Sequence, residues 1–212
     1  QFSSKPILIS PHPIFDHFGA PVDQHEAKKN IGIAEDTKLI LFFGFIRKYK
    51  GLDLLLKAMA SDSIKALGIE LMIVGEFYED AAPYHELIST LGISNLVDIK
   101  EGFIADSEVK QYVCSADFII QPYRNATQSG VTPLAYHFEK PMLVTNVGGL
   151  ADTVPNNQVG VVVEPNPEAI AEGIVTLYKN GTAFYLPQIK IEKQKYTWEQ
   201  MADNFLHLHQ QL

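Results

Sequence analysis

Short apolar runs alternate with stretches of helical periodicity along most of the chain. The runs predict strands buried on both faces, at residues 39–43, 69–74, 96–99, 118–121, 141–145 and 159–163. Between them, apolar residues recur three and four positions apart, as Leu52, Leu55, Leu56 and Met59 do. Strands that alternate with helices of about ten residues indicate βαβ units. The predicted fold class is therefore α/β, a Rossmann-like parallel sheet with helices on both faces.

Capping residues and helix breakers set the expected helix boundaries. We predict helices over 24–31, 79–91 and 129–138, from Leu52, from a cap at Asp106 or Ser107, and after Asn166-Pro167. No internal repeat, low-complexity tract or flexible linker divides the chain. We therefore expect one domain over residues 1–212.

The last predicted helix, about 197–212, is amphipathic. Thr197 and Gln200 have the spacing of a capping box. The helix carries an apolar stripe of Trp198, Met201, Ala202, Phe205, Leu208 and Leu212. We expect this stripe to pack on the same domain; the alternative is docking on an absent N-terminal domain.

The composition is that of an ordinary globular chain with an acidic balance. The 212 residues are 46% hydrophobic and 20% charged, with a formal net charge of −8. Nucleic-acid binding usually requires a basic stripe, so this balance argues against a nucleic-acid partner. The single cysteine, Cys114, lies in an apolar context and is predicted to be a buried, reduced thiol, with a catalytic thiol as the alternative.

Targeting and membrane signals do not stand out in the sequence. The longest apolar run, residues 39–46, is far shorter than the ~20 residues that span a bilayer. No signal peptide opens the chain, and the first residue is not methionine. We expect a piece of a longer cytoplasmic protein, in which any peripheral membrane contact involves the missing part.

Glycines, polar groups and cations follow the predicted strands. They occupy residues 44–50, 75–76, 102–103, 122–129 and 146–149. In a parallel sheet the carboxyl ends of the strands share one edge, where ligands bind. The sequence therefore predicts one binding edge built from these five loops.

The loop at residues 44–51 has the character of an anion site. Arg47 and Lys50 lie between a buried strand and a helix that begins at Leu52. Cations next to the free N–H groups and positive dipole of a helix N-terminus attract phosphate. The alternative is two solvated charges at a surface turn.

A second polar loop leads into the helix predicted from residue 129. Asn125, Thr127 and Gln128 precede Ser129 and Gly130, which would let a ligand approach the backbone closely. Ser129 is also a candidate N-cap, a role that is compatible with ligand binding.

Several known chemistries lack their signatures. The sequence has neither a Walker A motif nor a G-x-G-x-x-G motif. No His, Cys or carboxylate cluster has metal-ligand spacing, so no metal or cofactor is expected. The isolated histidines, among them His12 and His137, are predicted to be structural.

An ordered set of motifs carries a family resemblance. It consists of Phe43-Gly44, Lys50-Gly51-Leu52-Asp53-Leu54-Leu55, Val74-Gly75, Gln128-Ser129-Gly130, Lys140-Pro141, Val147-Gly148-Gly149 and Gly160. Over roughly residues 5 to 212 the chain resembles the C-terminal half of family 4 glycosyltransferases (glycosyl transferases group 1). The resemblance implies a GT-B fold, in which this half binds a nucleotide-sugar donor and an N-terminal domain binds the acceptor. It also implies retaining transfer without a bound metal.

The resemblance assigns roles to individual residues. Lys50 matches the lysine that holds the donor diphosphate, and Gly102-Phe103-Ile104 matches the loop that addresses the base. Phe45 stands where the family has an arginine, and we expect Arg47 to substitute for it in stabilising the leaving group. The full donor-binding set is Gly44, Gly75, Gly102, Phe103, Ile104, Asn125, Thr127, Gln128, Ser129, Gly130 and Val131.

The sequence departs from the family at its E-x7-E pair. Ala126 and Leu134 stand at the two glutamate positions, which puts ribose recognition and sugar choice in doubt. Asn125, Thr127, Gln128 and Ser129 are the available polar replacements. The alternatives are a non-catalytic nucleotide-sugar or sugar-phosphate binding module and a fragment of a GT-B nucleotide-sugar epimerase. The sequence identifies neither base, sugar, acceptor, linkage, general base nor oligomeric state.

Overall fold

A single parallel sheet organises the computed structural model, which describes residues 7, 8 and 10–211. Its strands within that part of the chain are β1 Lys38–Phe43, β2 Ile69–Gly75, β3 Val97–Glu101, β4 Phe118–Gln121, β5 Met142–Thr145 and β6 Gly160–Val163. Each matches a predicted strand to within two residues. The central strands are buried almost completely, as their uninterrupted apolar runs require.

The strand order creates one switch point. The order is β3-β2-β1-β4-β5-β6, and each neighbouring pair is parallel. The chain passes from β1 outward to β2 and β3, then crosses back to β4 and continues outward to β5 and β6. Beyond the carboxyl ends of β1 and β4 their connections diverge, which opens a crevice. The two polar loops of the sequence therefore flank that crevice.

Helices cover both faces of the sheet. They are α1 Gln24–Asn30, α2 Leu52–Met59, α3 Asp62–Leu67, α4 Ala82–Thr90, α5 Asp106–Ser115, α6 Val131–His137, α7 Pro167–Asn180, α8 Thr182–Glu192 and α9 Trp198–Gln210. The α1 helix packs with α5, and α2 packs with α3, α4 and α7. Cys114 lies in α5, is buried and forms no disulfide, as predicted; burial raises its thiol pKa.

The predicted starts of α4 and α5 are wrong by one to three residues. The α4 helix begins at Ala82 rather than Glu79, because Pro83 is tolerated only in a first turn. The α5 helix has Ala105 at its N-cap, so Asp106 and Ser107 lie inside the helix and neither side chain caps it. The cap at Asn166 is confirmed, since its Oδ1 accepts the Ala169 N–H at 2.9 Å.

Two helices were not predicted, for different reasons. The α3 helix is only six residues long, too short to show a clear period. The α8 helix contains Pro187 in its interior, where proline normally argues against a helix.

The last helix differs from expectation in two ways. Thr197 Oγ1 accepts the Gln200 N–H at 3.1 Å, but the Gln200 amide donates to Asn204 instead of closing the capping box. No described residue of α9 is buried, and Trp198 and Phe205 are more than half exposed. The expected packing of the whole stripe on this domain is therefore wrong, and docking elsewhere stays a prediction. Leu212, like residues 1–6 and 9, lies outside the described residues.

No helix in the described part of the chain is both long enough and apolar enough to cross a bilayer.

Candidate functional site

The loops at the carboxyl edge of the sheet are locked together through their backbones. Gly51 has a φ of +67°, and a Cβ there would lie 2.0 Å from the carbonyl oxygen of Pro122. The Arg124 N–H donates to the Tyr49 carbonyl at 2.7 Å. A Cβ on Gly148 would meet the Ala126 carbonyl oxygen at 1.9 Å. The loops after β1, β4 and β5 therefore form one continuous surface at the switch point.

The loops after β1 and β2 extend the sheet beyond its strands. The Gly44 N–H donates to the Val74 carbonyl at 2.9 Å, and the Ile46 N–H donates to Glu76 at 2.8 Å. The Tyr78 N–H returns to the Ile46 carbonyl at 3.1 Å. The start of the predicted anion loop is thus held by backbone hydrogen bonds to the end of β2 and the loop after it, as a strand is held by its neighbour.

Lys50 is a buried cation in a 3₁₀ turn, Lys48–Lys50. The residue is only 8% exposed, and its Nζ lies 5.6 Å from the centre of the Tyr123 ring. Within the described residues, the Lys50 side chain forms no hydrogen bond and has no carboxylate at ion-pair distance. Every fully enclosed side-chain nitrogen or oxygen in the described residues has a hydrogen-bond partner. Because the Lys50 ammonium has none, it is not fully enclosed and keeps some contact with solvent.

The electrostatic consequence appears in the proton affinity of Lys50. Burial, followed by the nearby charge of Arg47, lowers the pKa of Lys50 from 10.5 to about 8. A charge that has lost water without gaining a counter-ion is unfavourable. An anion bound at this edge of the sheet would stabilise the charge of Lys50 in place of the water that burial removes.

Arg47 lies in the same loop and is exposed. Its Cζ is 4.5 Å from the centre of the Tyr78 ring. Across the described chain it forms no ion pair with a carboxylate. The loop therefore carries two cations, of which Lys50 packs beside Tyr123 of the loop after β4 and Arg47 beside Tyr78 of the loop after β2.

In the loop after β4, some polar groups are already engaged. Ser129 Oγ accepts the Val131 N–H at 3.1 Å and lies 3.2 Å from the buried Tyr123 hydroxyl. Burial raises the pKa of Tyr123, so this hydroxyl stays protonated. The α6 helix begins at Val131 with Gly130 at the N-cap, so the predicted helix start at Ser129 is wrong by two residues. Ser129 already satisfies the first helical N–H.

Gly130 is less open than the sequence suggested. The ring of Phe15, from the segment before α1, lies 3.5 Å from the position that a Cβ on Gly130 would take. The segment therefore covers one side of the helix start. Asn125, Thr127 and Gln128 are exposed, so they are the predicted polar replacements that are accessible here.

An apolar cleft of about 260 Å³ lies beside the cationic loop. It brings together five predicted donor-binding residues, Gly44, Gly75, Gly102, Phe103 and Ile104. Phe103 is 81% exposed, an unusual position for a large apolar side chain. The cleft thus offers an aromatic surface close to Lys50, whose Nζ lies 3.4 Å from the position that a Cβ on Gly44 would take.

This cleft is also lined by Phe18, Glu76 and Asp106. Glu76 belongs to the binding edge that the sequence predicted, although it was not among the predicted donor-binding residues. Sequence reasoning missed Phe18, which arrives from the segment before α1, because no local pattern in the sequence places it against Phe103. Asp106 was predicted only as a helix cap.

The two positions that lack glutamates are not open to solvent. Ala126 is 8% exposed, and its carbonyl packs against Gly148. Leu134 lies on α6 at 2% exposure, inside the core. The side chains at these positions now serve packing, so any carboxylate near the site must come from another loop.

Two histidines connect the segment before α1 to its surroundings, and His12 also lines a small cavity with Gln128 and Ser129. His137 Nε2 lies 2.7 Å from the Gly19 carbonyl, a contact that fixes the segment before α1. His12 contacts the Phe15 and Trp198 rings. Within the described residues, no group of three or more His, Cys, Asp or Glu side chains is arranged to hold a metal ion.

Comparisons with known proteins agree with the predicted family. The sequence model of the family described as "Glycosyl transferases group 1" matches residues 23–196. An uncharacterized glycosyltransferase of Methanocaldococcus jannaschii is 28% identical over 187 residues, which cover 86% of this chain and 47% of that protein. The chain spans about half the length of the curated relatives it matches.

Solved structures show the same fold. The C-terminal domain of a glycosyl transferase group 1 family protein (LpcC) from Francisella tularensis has a TM-score of 0.71 at 19% identity. The match covers 84% of this chain and 96% of that one. Anabaena Alr3699/HepE, solved in complex with UDP and glucose, has a TM-score of 0.73 at 18% identity, over 94% of this chain and 56% of that one. The fold is the Rossmann-like C-terminal half of a GT-B fold, as predicted.

Proposed function

The chain belongs to the glycosyl transferases group 1 family, and on that premise we propose that it is the donor-binding domain of a retaining glycosyltransferase. The whole enzyme would move a sugar from a nucleoside diphosphate sugar to an acceptor hydroxyl. The absent N-terminal domain would bind the acceptor, since the curated relatives are about twice as long. The proposal assigns the domain to the cytoplasm.

One observation carries this proposal: Lys50 is buried at the switch point, and its ammonium has no carboxylate partner within the described part of the chain. A cation in this state gains more from a bound anion than a solvated lysine does, because its water is already lost. Arg47 adds a second charge in the same loop, and the helix α2 begins directly after Lys50. A diphosphate carries negative charge on each of its two phosphates, which matches the two positive charges of Arg47 and Lys50.

The neighbouring cleft supports a nucleotide rather than an inorganic diphosphate. Phe103 and the glycine backbones of Gly44, Gly75 and Gly102 form an apolar slot beside the cations. A planar base suits such a slot, since aromatic rings gain from stacking and apolar burial. HepE, which shares the fold, was solved with UDP and glucose.

The chemical role of the cations follows from where charge develops. As the bond from the sugar's anomeric carbon to the diphosphate oxygen breaks, negative charge accumulates on the departing diphosphate. Lys50 and Arg47 stabilise that charge more strongly than the charge of the intact donor, which lowers the barrier. The closed cleft between the two domains would hold the acceptor hydroxyl near the anomeric carbon.

A non-catalytic nucleotide-sugar binding module is the second candidate, and one observation favours it. Ala126 and Leu134 occupy the glutamate positions and are packed into the structure. A domain that retains the phosphate site and loses the sugar-side carboxylates would bind a donor without turning it over. Both candidates predict the same phosphate site.

Calorimetric titration of the 212-residue chain with UDP, GDP, ADP and their glucose conjugates tests the shared part of the proposal. We expect binding of at least one of the three nucleotides. Lys50→Ala should weaken it about 10- to 100-fold, the range for a charge-assisted contact.

Lys48→Ala is the matched control, because it removes the same charge from the same turn. Its side chain lines a separate groove with Glu79 and Tyr84, so we expect less than about a twofold change in affinity. Equal losses in both variants would contradict the assignment of Lys50. Release of nucleoside diphosphate from a donor by the full-length protein separates the enzyme from the binding module.

A further inference from the structure

Tyr78 contacts two side chains of the cationic loop from across the binding edge. Arg47 Cζ lies 4.5 Å from the centre of the Tyr78 ring, and the Phe45 ring packs edge-on at 4.6 Å. Tyr78 belongs to the loop after β2, whereas Phe45 and Arg47 belong to the loop after β1. We call these three side chains the arginine clamp.

The backbone holds the two sides of the clamp in register. Ile46 is fully buried between Phe45 and Arg47, and it pairs with Phe77 in an isolated parallel bridge. The Tyr78 N–H donates to the Ile46 carbonyl at 3.1 Å. Although Tyr78 is 51% exposed, its backbone is fixed next to Arg47. The ring therefore offers the guanidinium a stationary surface.

Arg47 and Lys50 belong to one turn. The Lys50 N–H donates to the Arg47 carbonyl at 2.9 Å, and the charge of Arg47 reaches the Lys50 ammonium. Like charges repel each other, so the long Arg47 side chain would move away from Lys50 into solvent unless another contact restrained it. The cation–π contact with Tyr78 opposes that movement. The guanidinium N–H groups that do not face the ring stay available for a bidentate contact with phosphate.

We propose that Tyr78 is a positioning residue that holds Arg47 beside Lys50, so that two cations meet two adjacent phosphates. The inference rests on the proposed function. It adds a specificity: the clamp favours a nucleoside diphosphate over the corresponding monophosphate, because Lys50 alone suffices for one phosphate and Arg47 is needed for the second.

The test measures the affinity of Tyr78→Ala, Tyr78→Phe and the wild type for two probes. The probes are the nucleoside diphosphate among UDP, GDP and ADP that the wild type binds most tightly, and the monophosphate of the same base. A cation–π contact at an exposed site corresponds to about a two- to fivefold change in affinity. We expect Tyr78→Ala to lose this factor for the diphosphate only. Tyr78→Phe should retain it, because the ring face is preserved.

A double-mutant cycle separates positioning from a general structural role. If Tyr78 acts through Arg47, then Tyr78→Ala costs nothing further in an Arg47→Ala background. Phe184→Ala, another exposed aromatic outside the binding edge, should leave both affinities unchanged. Unfolding curves verify that each variant is folded.

Each outcome decides the inference. Three results would overturn the role of Tyr78. Tyr78→Ala could lose the same affinity for monophosphate as for diphosphate, or lose none for either. In the double-mutant cycle, the affinity losses of Tyr78→Ala and Arg47→Ala could be additive. If Lys50→Ala still weakens diphosphate binding about 10- to 100-fold in those cases, the proposed function stands. If the wild type binds none of the three diphosphates, the proposed function fails and the inference fails with it.

Discussion

The loop after β1 and the loop after β4 flank the same crevice but treat their polar groups differently. In the first, Lys50 and Arg47 have no carboxylate partner among the described residues. In the second, Arg124 is paired with Asp53 at 2.5 Å, and Ser129 Oγ accepts the Val131 N–H. Across the residues that the structure describes, the first loop thus leaves two charges without a carboxylate partner, whereas in the second an arginine and a serine help to hold the structure together.

In the free domain, a buried, unpaired cation that could bind a ligand lowers stability, whereas paired polar groups raise it. A buried cation without a partner destabilises the free domain and becomes favourable only when an anion arrives. A capped helix start and a paired arginine stabilise the domain whether or not a ligand is present. Substitutions in the two loops should therefore affect folding with opposite signs.

Gly51→Ala is expected to produce the largest effect, because Gly51 is where the two loops touch. An alanine there needs an unfavourable left-handed backbone and displaces the Pro122 carbonyl. We expect the free energy of unfolding to fall by at least ~2 kcal/mol in denaturant titrations.

Gly68→Ala provides a matched control for this substitution. Gly68 has a similar φ of +62° but nothing within 4 Å of the added Cβ, so it carries only the backbone cost, about 1 kcal/mol. Similar losses at both positions would show that contact between the loops does not matter.

Lys50→Met and Ser129→Ala should change stability in opposite directions. Methionine keeps the buried stem and removes the desolvated charge, so we expect a gain on the order of 1–3 kcal/mol at pH 7. Ser129→Ala removes the acceptor of the Val131 N–H and the partner of the Tyr123 hydroxyl. That change should cost about 1–2 kcal/mol.

The gain from Lys50→Met should depend on pH with a defined sign. The folded-state pKa of Lys50, about 8, lies below the unfolded value of 10.5. Between these values the unfolded chain binds more protons, so this lysine destabilises the wild type less as pH rises. The advantage of methionine should be full below pH 8 and shrink towards pH 10. A constant difference would contradict an unpaired, buried lysine.

The pH dependence of binding is the smallest and most specific expectation. Only protonated Lys50 attracts a diphosphate, and half of it is deprotonated at its pKa of about 8, so affinity should fall about twofold between pH 7 and 8 and more steeply above pH 8. The slope should approach tenfold per pH unit until the pKa of the bound state is reached. Isothermal titration at several pH values measures it.

Lys50→Arg is the control for that titration, because arginine keeps its charge throughout this range. It should bind with a flatter pH profile than the wild type, even if its affinity differs. A wild-type affinity that does not change between pH 7 and 10 would mean that Lys50 does not contact the anion.

Much of the fold could be predicted because its signals are local. A continuous apolar run that ends at Gly44 requires a buried strand followed by a turn, and Asn166-Pro167 marks a helix start within two residues. The two cations at Arg47 and Lys50 were visible in the same way. Pro83 is the local signal for the true start of α4, because proline is tolerated in the first turn of a helix.

Other features were not predictable from local pattern. The α8 helix contains Pro187 and therefore hides its period. The stripe of α9 specifies an amphipathic helix but not what it packs against, and most of it stays exposed here. The contacts of Phe18 with the cleft and of Phe15 with Gly130 join residues that are far apart in the sequence.

The strands, their glycine-rich ends and the cationic loop follow from local sequence, because each depends on neighbours within about ten residues. Which polar groups are paired depends on the tertiary structure. Arg124 and Asp53 lie 71 positions apart, yet they pair at the switch point, whereas Lys50 is buried there with no carboxylate partner among residues 7, 8 and 10–211. Pairing and burial depend on which loops meet in space, and that is set by strand order and the close approach at Gly51.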